Sequence, residues 1–380
     1  MPQVKIEKIV VGGAGMGRID NQVVFVPFSA PQDLLEIEIT EKSKNFMIGK
    51  IKAILEASPL REKPPCPVFE LCGGCQIQHL NYPAQVSEKL NLVKEALTKF
   101  LNKQPQSGFD QLALAIEKSP KDFSYRNRIQ LHKEKNQVGY FAPKSHKLIP
   151  IEACLIAEDS LNEKMKELRS NSKLKDGRYE ITLNSELNPE IKSSDSEESY
   201  LTFSQVNRFQ NEKLIEYVLS LAKDGAFDQI YDLYSGSGNF TFPLFNLFRS
   251  AKVSAVELNP TAIDFGQSKL RAMNISPKKA AFYLSDVESF LKQTPLNPNS
   301  LVILDPPRDG CSEKVIKYLG LQKVKKIIYI SCHPASLGRD LERFFQISQQ
   351  NYRMTSIKCF DMFPQTAHVE TVVNIELKQP

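Results

Sequence analysis

The sequence lacks the features that mark membrane and secreted proteins. No run approaches the roughly 18 consecutive apolar residues that a membrane-spanning helix requires. The N-terminus, which begins Met1-Pro2-Gln3-Val4-Lys5, lacks the apolar core of a secretory signal. Internal repeats are also absent. These absences exclude a membrane partner and predict a soluble, cytoplasmic protein, which we expect to be a monomer.

Cysteine is scarce, and its distribution does not suit a disulfide framework. The 380 residues include seven cysteines, three of which lie between Cys66 and Cys75. Disulfide scaffolds are typical of much smaller secreted chains. We therefore expect the cysteines to bind a metal or to act in catalysis. The net charge of +5 permits nucleic-acid binding without demonstrating it.

The first half of the chain divides into two regions. Residues 1–58 alternate apolar and polar positions around glycine-rich turns, which predicts a small closed β-barrel. A proline-rich break then begins a central α+β region, 59–202. Within it, residues 82–101 show helical periodicity, and this helix is expected to pack on the C-terminal region of the chain. An acidic, serine-rich stretch at 193–199 is expected to be a solvated loop.

The region 203–380 has a different sequence pattern, in which apolar strands alternate with helical segments. This alternation predicts a parallel, doubly wound sheet and therefore an α/β Rossmann-like domain. Ligands bind such sheets beyond the carboxyl ends of the strands. The predicted strands end in polar or reactive groups, namely Asp232 and Ser235, Glu257, Asp305, and Cys332. Their shared position predicts an active site at this edge.

The first strand end carries a candidate nucleotide-cofactor site. Residues 232–239 read Asp-Leu-Tyr-Ser-Gly-Ser-Gly-Asn, and the glycines allow a tight turn close to a ligand. Glu257 can accept hydrogen bonds from ribose hydroxyls, and Asp286 is placed to meet an adenine amine. Together they suit S-adenosylmethionine, which has no pyrophosphate. A turn without a ligand is one alternative, and a dinucleotide site is another, although the full Gly-x-Gly-x-x-Gly fingerprint is missing.

Three residues are candidates for the chemistry. Asp305 stands in Asp-Pro-Pro-Arg, whose prolines restrict the backbone. Alkylating carbon 5 of uracil requires prior addition of a thiolate at carbon 6, for which Cys332 is the candidate. A base must then remove the carbon 5 proton, and Glu370 is the best candidate. The alternatives are a plain rigid turn, a structural cysteine and a solvated glutamate; His368 is assigned no chemistry.

Residues 118–147 combine cations with aromatic rings. The cations are Lys118, Lys121, Arg126, Arg128, Lys133, Lys135, Lys144 and Lys147, and the rings are Phe123, Tyr125, Tyr140 and Phe141. Single-stranded RNA recognition uses cations for phosphates and rings for unpaired bases. The segment is therefore expected to bind RNA, with Arg126 and Arg128 contacting phosphates. A solvated basic face is the alternative.

Several motifs occur in the order found in the RNA (uracil-5-)-methyltransferase family, which the chain resembles over nearly its whole length. They are Cys66-Pro67-x4-Cys72-Gly73-Gly74-Cys75-x3-His79-Leu80, Tyr125-Arg126-Asn127-Arg128, residues 232–240, Asp305-Pro306-Pro307-Arg308-x-Gly310, Ser331-Cys332-x-Pro334-x2-Leu337-x-Arg339-Asp340-Leu341, and His368-Val369-Glu370. Two departures are Ser235 for a frequent cysteine and His333 for a frequent asparagine. Neither removes a group that the mechanism needs.

The resemblance implies a role for each of these motifs. It implies nucleophile Cys332, base Glu370 and a TRAM-like, RNA-binding N-terminal barrel. The implied S-adenosylmethionine site comprises Gln205, Tyr234, Asn239, Glu257, Asp286 and, at the target base, Asp305. The resemblance does not decide which RNA is modified. The barrel favours 23S ribosomal RNA, with transfer RNA as the alternative.

Cys66, Cys72, Cys75 and the distant Cys154 provide four thiolates. Their spacing alone suits zinc more commonly than an iron–sulfur cluster. The resemblance instead implies a 4Fe–4S cluster, with Gly73 and Gly74 bringing backbone amides near its sulfurs. The central region is then an iron–sulfur domain. Cys311 and Cys359 remain as structural cysteines.

Two rival functions deserve comparison. A methyltransferase acting on an exocyclic amine would use the Asp-Pro-Pro string but would need no nucleophilic cysteine, so Cys332 and Glu370 argue against it. An RNA-binding or iron–sulfur sensing protein with a vestigial catalytic half is the rival from another class. The chain retains the thiol, the base and the carboxylates proposed to bind the cofactor, and this argues against that rival.

Overall fold

The N-terminal strands close into a barrel. The computed structural model describes residues 1–102, 107–184, 186–193, 205–349 and 351–378. The first elements are β1 (Gln3–Ile9), β2 (Gly15–Ile19), β3 (Gln22–Val26), β4 (Leu34–Lys42), β5 (Phe46–Glu56) and α1 (Tyr82–Leu101). Alternate apolar residues of the strands fill the interior, and the sheet closes in the order β1-β2-β3-β5-β4. The predicted closed barrel is therefore confirmed.

The central region forms a second sheet with one helix, and its first strand instead joins the large sheet described below. Its elements are β6 (Ala115–Glu117), β7 (Arg128–Glu134), β8 (Gln137–Phe141), β9 (Leu148–Pro150), α2 (Asp159–Ser170), β10 (Gly177–Leu183) and β11 (Pro189–Ser193), and a 3-10 turn covers Phe109–Gln111. The sheet order is β11-β10-β7-β8-β9, and α2 packs on one face. The acidic stretch beyond residue 193 and the predicted boundary at 202 lie outside the described residues. The three-domain division therefore stays a prediction.

The remaining elements build one large sheet. They are α3 (Arg208–Ala222), β12 (Gln229–Leu233), α4 (Thr241–Leu247), β13 (Lys252–Glu257), α5 (Pro260–Ala272), β14 (Ala280–Leu284), α6 (Val287–Gln293), β15 (Ser300–Leu304), α7 (Glu313–Leu321), β16 (Lys326–Ser331), α8 (Pro334–Ile347), β17 (Tyr352–Phe360) and β18 (Glu370–Leu377). The strand order is β14-β13-β12-β15-β16-β18-β17-β6.

The order of this sheet determines where a ligand can bind. Strands β12 to β16 run parallel, as the alternation of strands and helices predicts, and β18 runs antiparallel to β16. Strands β13 and β15 flank β12, so the order reverses there. Such a reversal opens a crevice at the carboxyl ends of the strands.

Helix α1 packs against α8, the helix that follows β16 of the large sheet. Its residues Val93 and Leu97 share a core with Leu337 of α8. The helices approach closely at Gly338, where a Cβ atom would lie 2.5 Å from the ring of Phe100. Within the described ranges, no helix is both long and apolar enough to cross a membrane.

Candidate active site

Strand register brings most of the predicted site residues to one edge. Leu233 pairs with both Val256 and Leu304, so the residues that follow β12, β13 and β15 leave the sheet together. The antiparallel pairing of β16 with β18 ends with Ser331 opposite Thr371, and the next residue on each strand is Cys332 and Glu370. That register sets Cys332 across from Glu370, and the crevice therefore contains both predicted catalytic residues.

The loop after β12 has the shape of a ligand cradle. Gly236 has a φ of +54°, and a Cβ there would meet no described atom within 4 Å. Gly238 has a φ of +97°, and a Cβ there would lie 2.6 Å from the ring of Phe242. Glycine is tolerated in this left-handed region without strain. The loop thus leaves open space at Gly236 and is packed tightly at Gly238.

Two carboxylates stand beside this loop. Glu257 accepts hydrogen bonds from the backbone amides of Gly236, Leu258 and Asn259 at 3.0, 2.8 and 2.8 Å, which fix its orientation and leave acceptor capacity on Oε2. Asp286 is exposed and accepts from the Ser289 amide at 2.8 Å. Hydrogen bonding from Ser289 holds the pKa of Asp286 below its usual range. Both groups can accept hydrogen bonds from a nucleoside.

The other residues predicted to contact the cofactor make contacts within the protein. Tyr234 has a φ of +65°, which is uncommon for a residue with a side chain, and its half-buried ring packs on the core near Cys311. Asn239 exchanges two hydrogen bonds with Asn211 of α3, at 2.9 and 3.0 Å. Gln205 is buried, and its carbonyl accepts from Asn127 at 3.1 Å. Their contacts with a cofactor remain predictions.

Asp305, Glu370 and Cys332 share a poorly solvated site. Burial, followed by the charge of Asp305, raises the pKa of Glu370 well above its usual range. Burial and Asp232 raise the pKa of Asp305 to about 7. Burial, Glu370 and Asp305 raise the pKa of the Cys332 thiol to about 12, and Arg308 opposes this shift. Three groups that can exchange protons therefore lie together.

The exposure of these groups decides between the alternatives left open by the sequence. Glu370 is only 3% exposed, so the alternative of a solvated surface glutamate is wrong. Cys332 is partly exposed, whereas Cys311 and Cys359 are buried as expected of structural cysteines. A partly exposed thiol beside a buried carboxyl group suits a nucleophile and a base.

Two histidines organise the rim of the crevice. Burial, followed by the charge of Arg308, lowers the pKa of His368 to about 4, so the ring is neutral at pH 7. Its Nε2 lies 3.1 Å from Nη2 of Arg308 and accepts that guanidinium hydrogen. His333 caps α8, because its Nδ1 accepts from the Ser336 amide at 3.3 Å. It thereby fulfils the capping role for which asparagine is well suited. Nothing in the sequence indicated the pairing of His368 with Arg308.

The four remaining cysteines line one cavity. Cys66, Cys72, Cys75 and Cys154 surround a volume of about 460 Å³. Burial raises the pKa of the Cys75 thiol to about 12. In the parts of the chain that the structure describes, no three Cys, His, Asp or Glu side chains form a group compact enough to hold a metal ion. The cavity thus gathers the predicted ligands without closing them around a single point.

The basic segment is only partly available to RNA. Lys133 is 2% exposed and donates to the carbonyls of Leu168 and Arg169 at the end of α2, so the expectation that it contacts RNA is wrong. Arg128 pairs with the buried Glu180 at 2.8 Å, and Arg126 donates to the Arg128 carbonyl at 2.8 Å. The exposed cations are Lys118, Lys121, Lys135, Lys144 and Lys147. These lysines are better placed than the two arginines to meet phosphates.

Comparison with known proteins gives concordant results. The family described as tRNA (uracil-5-)-methyltransferase matches residues 183–378, and the TRAM domain of tRNA (uracil(54)-C(5))-methyltransferase matches residues 3–60. An uncharacterized RNA methyltransferase of Bdellovibrio bacteriovorus is 40% identical over 99% of this chain and 95% of its own. A 23S rRNA (uracil(1939)-C(5))-methyltransferase of Shewanella piezotolerans is 27% identical, over 96% and 93% respectively.

A solved structure matches the whole fold. It is the Pyrococcus abyssi tRNA (uracil-54, C5)-methyltransferase in complex with S-adenosyl-L-homocysteine. The TM-score is 0.73 at 23% identity, and the match covers 98% of this chain and 100% of that chain. At this level of identity the match establishes a shared fold.

Proposed function

The chain belongs to the S-adenosylmethionine-dependent RNA (uracil-5-)-methyltransferase family, and from this premise we propose that it methylates carbon 5 of a specific uridine through a covalent bond to Cys332. The observation that carries the proposal is the partly exposed Cys332 thiol placed across from the buried Glu370 and beside Asp305. A methyltransferase for exocyclic amines would need neither the thiol nor the base. Membership of this family makes the chain an enzyme. This argues against the alternative of an RNA-binding or iron–sulfur sensing protein with a vestigial catalytic half.

The residues at the strand ends fit the methyl donor. The open space at Gly236 lets the ligand approach the backbone, Glu257 offers an acceptor to the ribose, and Asp286 offers one to the adenine amine. When bound, S-adenosylmethionine supplies an electrophilic methyl group. We assign supporting roles in this site to Gln205, Tyr234 and Asn239, and we place Asp305 between the donor and the target base.

The chemistry follows from the three grouped residues. The Cys332 thiol releases its proton to water, which the charge of Arg308 favours. The resulting thiolate bonds to carbon 6 of the uracil and moves the electron pair of the carbon 5–carbon 6 double bond toward carbon 5 and the O4 enolate. After carbon 5 gains the methyl group, Glu370 removes the remaining carbon 5 proton. The electron pair then restores the double bond between carbons 5 and 6 and expels the thiolate. A raised pKa suits Glu370 to accept a proton.

We favour 23S ribosomal RNA as the substrate. The relative named for that reaction aligns over 96% of this chain. Transfer RNA is the second candidate, because the TRAM domain that matches residues 3–60 is that of a tRNA methyltransferase, so the barrel itself does not discriminate between the two RNAs. The exposed lysines between residues 118 and 147 are our candidates for phosphate contacts outside the crevice.

Mapping of 5-methyluridine in cellular RNA tests the substrate. We expect one or more 5-methyluridines of 23S ribosomal RNA to disappear when the gene is deleted and to return when it is restored. Restoration with a Cys332→Ala variant is the matched control and should leave the sites unmodified. Loss of 5-methyluridine from transfer RNA alone would transfer the assignment to tRNA. An unchanged content in both RNAs would refute uridine methylation.

We further propose that Cys66, Cys72, Cys75 and Cys154 hold a 4Fe–4S cluster. The four cysteines line one cavity of about 460 Å³, which has room for a multi-atom cluster. The Gly74 amide donates to the Cys72 sulfur at 3.5 Å. The proposed reaction needs no electron, and we therefore propose a structural role for the cluster. All seven cysteines are free, which suits the reducing cytoplasm.

Metal analysis of anaerobically purified protein tests the cluster. We expect iron and acid-labile sulfide at about four of each per chain, with a brown chromophore. A Cys154→Ser variant should lose most of both, whereas Cys359→Ser, at a buried cysteine outside the cavity, should retain them. Stoichiometric zinc without a chromophore would contradict the assignment.

A further inference from the structure

The segment between β17 and β18 is buried although it contains no regular structure. We call residues 361–369 the base loop, because they lead directly into Glu370. Most of its residues are inaccessible to solvent. Connecting segments usually lie on the surface, where water satisfies their backbone groups. Burial of this loop therefore requires partners elsewhere in the protein.

A buried ion pair holds the first residue of the base loop. Nζ of Lys89, on α1, lies 2.5 Å from Oδ1 of Asp361 and 2.9 Å from the carbonyl oxygen of Phe363. The side chains of Lys89 and Asp361 are 1% and 0% exposed. Asp361 directly follows Phe360, which pairs with Glu370 between β17 and β18. The ion pair thus fixes the backbone one residue from the position across from the base.

A second set of contacts holds the middle of the base loop. The side chains of Gln85 and Gln365 are joined at 2.9 Å, and the Gln85 oxygen accepts from the Gln365 amide at 3.0 Å. The Gln365 carbonyl accepts from the amides of Gln76 and Ile77 at 3.1 and 3.2 Å. Tyr125 donates to the Pro364 carbonyl at 3.0 Å. The base loop is therefore held by side chains and backbone from the N-terminal part of the chain.

We propose that Lys89 is a positioning residue for the catalytic base, acting through Asp361 to set the place of Glu370. A buried ion pair contributes little to the stability of the folded protein, because apolar residues of similar size often stabilise it as much or more. A charge retained in such a position suits a requirement for one defined geometry. The inference rests on the proposed function, since it concerns the step in which carbon 5 loses its proton.

Loss of Lys89 should affect only the second half of the reaction, in which carbon 5 loses its proton. If Lys89 positions Glu370, its loss leaves the Cys332 thiol able to add to carbon 6 but slows removal of the carbon 5 proton. A displacement of about 1 Å from productive geometry can lower a rate by about 100-fold. A merely structural role would instead reduce adduct formation and turnover in proportion.

The test compares Lys89→Met with the neutral pair Lys89→Gln/Asp361→Asn, which avoids leaving a lone buried charge. Lys133→Met is the matched control, because Lys133 is also buried and also donates to backbone carbonyls, but at the end of α2. Each variant receives S-adenosylmethionine and target RNA, and covalent RNA–protein complex and released product are quantified. We expect both Lys89 variants to accumulate the complex and to release product up to about 100-fold more slowly. Lys133→Met should accumulate no complex.

Glu370→Gln, measured in parallel, separates failure of the inference from failure of the proposed function. In the Glu370→Gln background, Lys89→Met should slow release no further, because both changes act on one group. If Glu370→Gln stalls while the Lys89 variants lose complex and turnover together, or behave as Lys133→Met does, the inference is overturned alone. If Glu370→Gln releases product normally, both the base assignment and the inference fall.

Discussion

The Cys332→Ala variant should lose methyl transfer and covalent capture of RNA together. Carbon 5 of uracil becomes nucleophilic only after a thiolate has added to carbon 6, so removal of the thiol blocks the first bond. Cys311 and Cys359 cannot replace it, because they are 3% and 0% exposed. Transfer of a labelled methyl group to RNA and a denaturing gel would show both losses.

A matched variant separates loss of the nucleophile from loss of structure. Cys311→Ala removes a thiol from the core near the same crevice and should keep most of the methyl transfer. Normal turnover by Cys332→Ala would overturn the covalent mechanism altogether. Equal loss in both variants would show that the cysteines serve packing rather than catalysis.

The Glu370→Gln variant should methylate once and then stall as a covalent RNA–protein complex. Glutamine keeps the size of the side chain but cannot accept the carbon 5 proton, and loss of a general base lowers rates by about 10²–10⁴. The first bond can still form, because the change leaves the Cys332 thiol in place. A shifted band that carries label from S-adenosylmethionine would show the stall.

The controls for Glu370 lie in the same group of residues. The double variant Cys332→Ala/Glu370→Gln should form no band, because the covalent bond cannot be made. Normal turnover by Glu370→Gln, with Cys332 still essential, would move the base to Asp305 or a bound water. In that case a stalled complex from Asp305→Asn would identify the replacement.

The sequence was most informative where local pattern determines structure. Alternating apolar residues in the first 58 positions were sufficient to predict the closed barrel, since side chains on one face of each strand must be buried. Strands alternating with helices predicted the parallel sheet, and its carboxyl edge indicated where Glu257, Asp305 and Cys332 would meet. These inferences depend on periodicity and chain direction, which a sequence displays directly.

Contacts between residues distant in the sequence could not be predicted in the same way. Glu370 meets Cys332 only because β18 runs antiparallel to β16 in one particular register, which no local signal specifies. Lys133 was expected to contact RNA, yet it is buried and donates to the Leu168 carbonyl at the end of α2. Arg128 pairs with Glu180 on a neighbouring strand, and its contact with RNA stays a prediction. The type of a residue gives its charge, whereas its partner depends on the tertiary fold.

The central claim is that Cys332 carries the uridine while carbon 5 is methylated. The most direct measurement is mass spectrometry of the peptides released from the stalled Glu370→Gln complex after digestion of both protein and RNA. The account predicts that the peptide containing Cys332 carries one uridine nucleotide heavier by a methyl group. A nucleotide attached to any other residue, or one attached to Cys332 without the methyl group, would contradict it.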